Sequence, residues 1–187
     1  VYYVPGNHEG RIDAYRRLRE ELLRAGVVLL EDRKVMLARQ GACIQLLGLR
    51  DPRFAPKEHR QDRERVEKKL RELMGTEEDR QFFQLLLSHR PELMPVYADC
   101  GVDMVLCGHA HGGQFRLFHQ GLFAPQQGLF PQYTGGVHVK GTTAMVISRG
   151  LGNSEFPLRL NNPPELVKIT LHCQPPAEEA GQAEEDE

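Results

Sequence analysis

The chain contains no Cys-x-x-Cys pair, no apolar run long enough to cross a membrane and no internal repeat. Each absence removes a class of protein. Cys43, Cys100, Cys107 and Cys173 lack the dense paired spacing of a disulfide scaffold or a zinc ribbon. Three of them sit in or beside apolar runs, where a thiol behaves as a small buried hydrophobe. Nothing reads as a membrane-spanning helix or a signal peptide. No stripe of alternating basic and aromatic residues is present, so no nucleic-acid partner is expected. An initiating Met is also missing. The chain opens on Val1 in what reads as the middle of a strand, so its start is read as a truncation or a processing boundary.

What is present fits an ordinary globular domain, with 40% hydrophobic and 27% charged residues in 187. That length supports one domain with a real core, placed at residues 1–173. Residues 174–187 carry five Glu, one Asp and no base, and are read as an acidic disordered tail. They conceal the balance of the rest, where 24 basic residues stand against 20 acidic ones. This modest positive excess suits a phosphate-bearing substrate only weakly, and mostly reflects solvated helix faces.

Apolar periodicity sketches an α/β chain. Ile12, Tyr15, Leu18 and Leu22 form a helical stripe ended by Gly26. Val27–Leu30, Val35–Ala38 and Ala42–Gly48 read as short strands, and Arg50–Pro56 as a loop. From His59 to Met74 a charged helix turns Val66, Leu70 and Leu73 inward, and Thr76 with Asp79 makes a weak helix cap. Phe82–Ser88 is a strand, Pro91–Gly101 a helix, Val102–Leu106 a buried strand and Gln114–Phe118 another strand. Residues 119–141 show no clear period and read as a long loop, in which Phe130-Pro131-Gln132-Tyr133 is a candidate pocket wall. Thr142–Ser148 and Leu166–Leu171 close the chain as strands.

Three of these apolar runs deliver a histidine at their carboxyl ends, where open α/β sheets place their sites. Asn7-His8 follows Val1–Val4, His89 follows Leu85–Leu87, and His109 and His111 follow Val102–Leu106. Imidazole is the commonest protein metal ligand, and the glycines around His109 and His111 permit a tight turn that aims both rings. That recurrence points to a metal centre. Asn oxygen and neutral His nitrogen suit Mn, Fe or Zn rather than Ca or Cu(I). Cys107 alternates with His109 and His111, which leaves a thiolate ligand open as an alternative. His59, His119, His138 and His172 lack a motif and are read as structural.

Gly6-Asn7-His8-Glu9, Ser88-His89 and Gly108-His109-Ala110-His111, in that order, resemble the calcineurin-like metallophosphoesterase family. Gly112-Gly113-Gln114, Ser148 to Ser154, Pro157-Leu158-Arg159 and Asn162-Pro163-Pro164-Glu165 are similar to its bacterial YkuE and YaeI type phosphodiesterase branch. The resemblance implies a four-layer α/β/β/α sandwich with two divalent metal ions at its edge. It implies that Asn7, His89 and His109 ligate one metal and His111 the other. His8 would be the catalytic imidazole that meets the leaving-group oxygen, with Glu9 an acceptor behind it. Arg149 is a weak candidate for pairing with a phosphate oxygen. The implied substrate is a phosphodiester or pyrophosphate, lipid-linked or from the cell envelope, in a bacterial, exported or membrane-associated protein anchored through an amino-terminal segment.

The family pattern also has Asp-x-His and Gly-Asp-x-x-Asp ahead of Asn-His, and neither can be present in the six residues before Asn7. Asp51 and Asp103 stand in the wrong context to replace them. The expectation is therefore an enzyme fragment, missing its first strands and left with an unpaired central edge, which binds at most one metal and does not turn over. Two rivals use the same chain: an inert binding scaffold on the same fold, and a nuclease.

Overall fold

Short runs of Val, Leu and Ile bounded by Gly, Asp and Pro become the strands of one mixed sheet, as half-buried and fully buried strands should. The structure is a computed structural model, and it describes residues 1–39, 41–59, 63–118, 120–124, 126–153 and 158–172. In chain order the elements are β1 (Tyr2–Tyr3), α1 (Tyr15–Arg24), β2 (Val28–Leu29), β3 (Arg33–Arg39), β4 (Ala42–Gly48), α2 (Arg63–Met74), β5 (Phe83–Leu87), α3 (Met94–Cys100) and β6 (Met104–Cys107). Four two-residue strands follow: β7 (Arg116–Leu117), β8 (Gln120–Gly121), β9 (Phe123–Ala124) and β10 (Gly128–Leu129). The last are β11 (Gly136–Lys140) and β12 (Thr143–Ile147).

The main sheet has the order β11-β12-β6-β5-β4-β3. Its four inner strands run parallel, and each edge is an antiparallel hairpin partner. One rung, Leu47, Leu86, Val105 and Met145, points into the core, where each is fully buried with Leu70 and Met74 of α2 and Met94 and Tyr97 of α3. The preceding rung, Leu46, Leu85, Met104 and Ala144, faces the other way, and its last three members are only half-buried. The small β1–β2 sheet lies toward that side, where buried Leu30 packs over Gly48. Among the described residues β1 pairs with β2 alone.

The α/β class is what the structure shows, with one six-stranded mixed sheet and three helices. Several boundaries differ from the sequence reading. The first helix starts at Tyr15, and its stripe of Tyr15, Leu18 and Leu22 is half-covered with no residue fully buried. The 119–141 stretch is not one loop. It holds short ribbons and β11, a strand that pairs along its whole length with β12. Leu166–Leu171 runs without a ladder partner among the described residues. Thr76 and Asp79 do exchange reciprocal side-chain to backbone bonds of 3.0 and 3.4 Å. The acidic tail assigned to 174–187 lies outside the described residues, as do His119 and the side chain of His59. No described helix is long and apolar enough to cross a membrane.

Leu70 and Leu18 offer a direct test of where stability lies. Leu70→Ala, with its side chain fully enclosed, should cost about 2–5 kcal/mol, and Leu18→Ala on half-covered α1 clearly less, by urea denaturation. Equal losses would show that α1 is as well packed as α2.

Candidate metal centre

The ends of β1, β5 and β6 bring Asn7, His89 and His109 to one point. Asn7 Oδ1 lies 2.8 Å from His89 Nε2, and His89 Nε2 lies 2.9 Å from His109 Nδ1. Asn7 and His109 are each only 5% exposed. Gly6 permits this approach, since a Cβ there would stand 2.8 Å from the His89 ring. The loop after β5 is fixed from below. Tyr97 Oη donates to the Arg90 carbonyl at 2.7 Å and meets Ser88 Oγ at 2.7 Å.

The backbone after β6 is unusual. His109, His111 and Gln114 all adopt positive φ, at 68°, 46° and 61°. Such conformations cost about 1–3 kcal/mol each for residues with a Cβ and are retained where surrounding contacts enforce them. Here the enforcing group is Asn162, whose Nδ2 donates to the carbonyls of His111 at 2.6 Å and Gln114 at 3.1 Å. Gly112, itself at φ 68°, has no room for a Cβ because Asn162 Oδ1 would lie 2.2 Å away.

Burial depresses both inner imidazoles. His89 falls to about 3, through desolvation first and the neighbouring His109 second. His109 falls to about 4, through desolvation and then the Arg90 guanidinium. Both are therefore neutral near pH 7. Three atoms that each carry a lone pair then face one another, and a single N–H on His89 can satisfy only one of its two neighbours. Ligands in adjacent positions around a first-row ion, at about 2.0–2.2 Å from it, sit roughly 3 Å apart. The donor set and its spacing thus fit a divalent cation. Among the described residues no group of three His, Cys, Asp or Glu side chains is placed for a metal; the third member of this set is an amide.

His111 stands apart from these three. Its Nδ1 lies 3.4 Å from the Gly152 carbonyl, and burial lowers its pKa. His8 is exposed beside Asn7 and close enough to His111 to depress it further. Glu9 accepts the Gly6 N–H at 2.8 Å. Arg149 is engaged by the Glu165 carboxylate and not held open. Cys107 belongs to the buried apolar core, where desolvation pushes its thiol well up. His138 bonds to the Gly135 carbonyl at 3.1 Å, a structural partner.

Sequence reasoning missed three neighbours of the imidazoles. Asp51 grips Arg90 through two bonds of 2.5 and 2.9 Å, and Arg90 reaches Glu92 at 3.2 Å. Burial pushes Asp51 up, but the Arg90 bond and charge outweigh it and hold the carboxyl below its ordinary range. Adjacency to His89 was a signal for Arg90, whereas nothing local marked Asp51. The third is Gln126, whose Oε1 lies 2.5 Å from His109 Nε2. An amide oxygen only accepts, so Nε2 carries the proton and Nδ1 is left bare toward His89 and Asn7. Arg90 Nη1, 3.3 Å from the same nitrogen, is then a neighbouring charge rather than its donor.

No family model matches the chain, and no solved structure does. It is 29% identical over 176 residues to the uncharacterized protein YpbG of Bacillus subtilis, covering 94% of this chain and 59% of that protein. It is 38% identical over 90 residues to the uncharacterized metallophosphoesterase YkuE of Bacillus subtilis, covering 48% of this chain and 31% of that protein. It is also 38% identical over 89 residues to the phosphodiesterase YaeI of Escherichia coli, covering 47% of this chain and 32% of that protein. In each case the chain spans less than two thirds of the relative's length. The recurrence of the name metallophosphoesterase among the relatives supports that family for this chain.

Gln126 gives the geometry a test. Gln126→Asn keeps a residue that tolerates the φ of 62° while withdrawing the amide from His109. Mn²⁺ affinity, followed by calorimetry, should fall roughly 10–100-fold with the thermal melt unchanged. Undiminished affinity would show that this bond does not set the His109 tautomer.

Proposed function

We propose that the chain carries part of the active site of a metal-dependent phosphoesterase, a phosphodiesterase or pyrophosphatase acting on a lipid or cell-envelope headgroup. The observation that supports it most is the approach of His89 Nε2 to both Asn7 Oδ1, at 2.8 Å, and His109 Nδ1, at 2.9 Å. In this reading those three hold one divalent ion of the Mn, Fe or Zn type, and His111 serves a second. The enclosing architecture is the four-layer sandwich, and the complete protein is bacterial and exported or membrane-associated. When bound, the ions act as Lewis acids on the phosphoryl oxygens.

The chain's own residues supply the rest. Asn7 and His89 orient each other, and Gln126 keeps the His109 proton on the outward nitrogen. His8 is exposed at the mouth of the site and tied by adjacency to Asn7, so it can deliver a proton to a leaving oxygen. Arg149, with its Glu165 partner, is a candidate for steadying a phosphate oxygen only if that pair opens. The buried Arg90–Asp51 pair places positive charge beside His109 without offering it to solvent.

Two substitutions in the full-length gene product separate an enzyme from an inert scaffold. His109→Ala should remove one metal equivalent and, with Mn²⁺ supplied, cleavage of an aryl phosphodiester. His8→Asn should leave metal content intact and lower kcat by roughly 10²–10⁴-fold, the range for losing a positioned general acid. Full metal occupancy without diester cleavage under Mn, Fe, Zn or Co would overturn the enzymatic reading. A silent His8 would overturn only its assigned role.

A further inference from the structure

Asn7 stands on a segment that the main sheet does not hold. Among the described residues β1 pairs only with β2, so no ladder sets the Asn7 loop against the loops after β5 and β6. The chain leaving β4 supplies a connection. Asp51, just past that strand, donates its backbone N–H to the Pro5 carbonyl of the Asn7 loop at 3.3 Å. Its carboxylate takes Nε of Arg90 at 2.5 Å and Nη2 at 2.9 Å, and Arg90 adjoins His89 in sequence. Arg90 Nη1 in turn lies 3.3 Å from His109 Nε2. One residue therefore reaches the supports of all three candidate ligands.

The pair is built to hold position. Two parallel bonds between guanidinium and carboxylate fix an orientation as well as a distance. Asp51 is itself set by Arg53 N, which donates to Oδ1 at 2.7 Å where the turn Pro52–Phe54 begins. That turn meets the Asn7 side of the molecule again. A Cβ at Gly10 would stand 3.0 Å from Arg53 Cγ, and the Phe54 ring packs edge-on against Tyr15 with centroids 5.2 Å apart. Tyr97 Oη, bonded to the Arg90 carbonyl, secures the other partner. Asp51 is 2% exposed and Arg90 8%. A pair so enclosed acts on the side chains beside it rather than on a molecule arriving from solvent.

We propose that Asp51 is a positioning residue, which sets Asn7, His89 and His109 against one another through Pro5 and Arg90. Its consequence for metal affinity rests on the reading above, in which those three are ligands. The positioning itself acts on the metal-free side chains, so the two can fail separately. Partners that orient metal ligands from outside the coordination sphere are each worth roughly 10–100-fold in affinity.

Asp51→Asn keeps the backbone N–H and nearly the same shape while removing the charge and one acceptor. In the 187-residue chain it should weaken Mn²⁺ binding, by calorimetry, roughly 10–100-fold. It should also shift the ring-nitrogen NMR signals of His89 and His109 in the metal-free protein. Because Asp51→Asn leaves Arg90 an unpaired cation, the double variant D51L/R90M removes both charges. Apolar replacement of a buried ion pair is often neutral in stability, so this variant should melt with the parent yet bind Mn²⁺ as weakly as D51N. Parent-like affinity in folded D51N overturns the proposal. Restored affinity in the double variant does so too, by reducing the pair to a matter of charge. Loss of the fold in both variants also overturns it, because the pair would then support the whole domain rather than these three side chains. A parent that binds no Mn²⁺, while D51N still moves both ring signals, would refute the metal reading and uphold the positioning.

Discussion

Three lone pairs forced into contact are the constraint around which this chain is arranged. Asn7 Oδ1, His89 Nε2 and His109 Nδ1 repel one another unless a proton or a cation stands among them, and burial keeps both imidazoles neutral, with a single N–H each. Their approach is maintained by devices that would otherwise be unnecessary. Gly6 clears space for a ring, Tyr97 pins the loop that carries His89, and Asn162 holds the left-handed turn that carries His109. Each device acts on backbone at the end of a strand. The strands themselves are held by the fully buried rung of Leu47, Leu86, Val105 and Met145.

The part of this that the sequence made legible is the part written locally. Asn7, His89, His109 and His111 each follow an apolar run by a few residues, so their position at strand ends could be read before any fold was known. The inner strands were equally plain, because they read as short continuous apolar runs bounded by turn residues. What local pattern could not convey was partnership. Leu166–Leu171 has the composition of a strand, but a strand exists only where an edge receives it. β11 failed in the opposite direction. Val137, His138 and Val139 alternate weakly and two of them remain about two-thirds exposed, so burial gave no signal; pairing with β12 makes the strand.

The neighbours of the site were hidden for the same reason. Asp51 and Arg90 are thirty-nine residues apart, and neither has a spacing that betrays the other. Asp51 was set aside as a ligand from the wrong context, and the structure gives it a different task. It neutralises a guanidinium buried beside two neutral imidazoles. An unpaired cation there would cost several kcal/mol, and a cation left to approach the ligands would compete with a metal for their lone pairs. Gln126 came from a stretch read as loop, and its contact with His109 follows from a turn whose residues carry no motif.

The distribution of strain bears on whether such a site would be kept for binding alone. Left-handed backbone at His109, His111 and Gln114 sums to a sizeable part of the stability of a small domain, on the scale of about 1–3 kcal/mol for each. A surface that merely recognises a partner could use residues in ordinary conformations, since most interface energy comes from a few well-packed anchors. Aiming two rings from adjacent turns of one loop is different. With that left-handed backbone His109 lies against His89 while His111, two residues later, faces the Gly152 carbonyl. A short loop that sends two imidazoles to two neighbouring but separate positions suits the two-metal chemistry proposed for this chain.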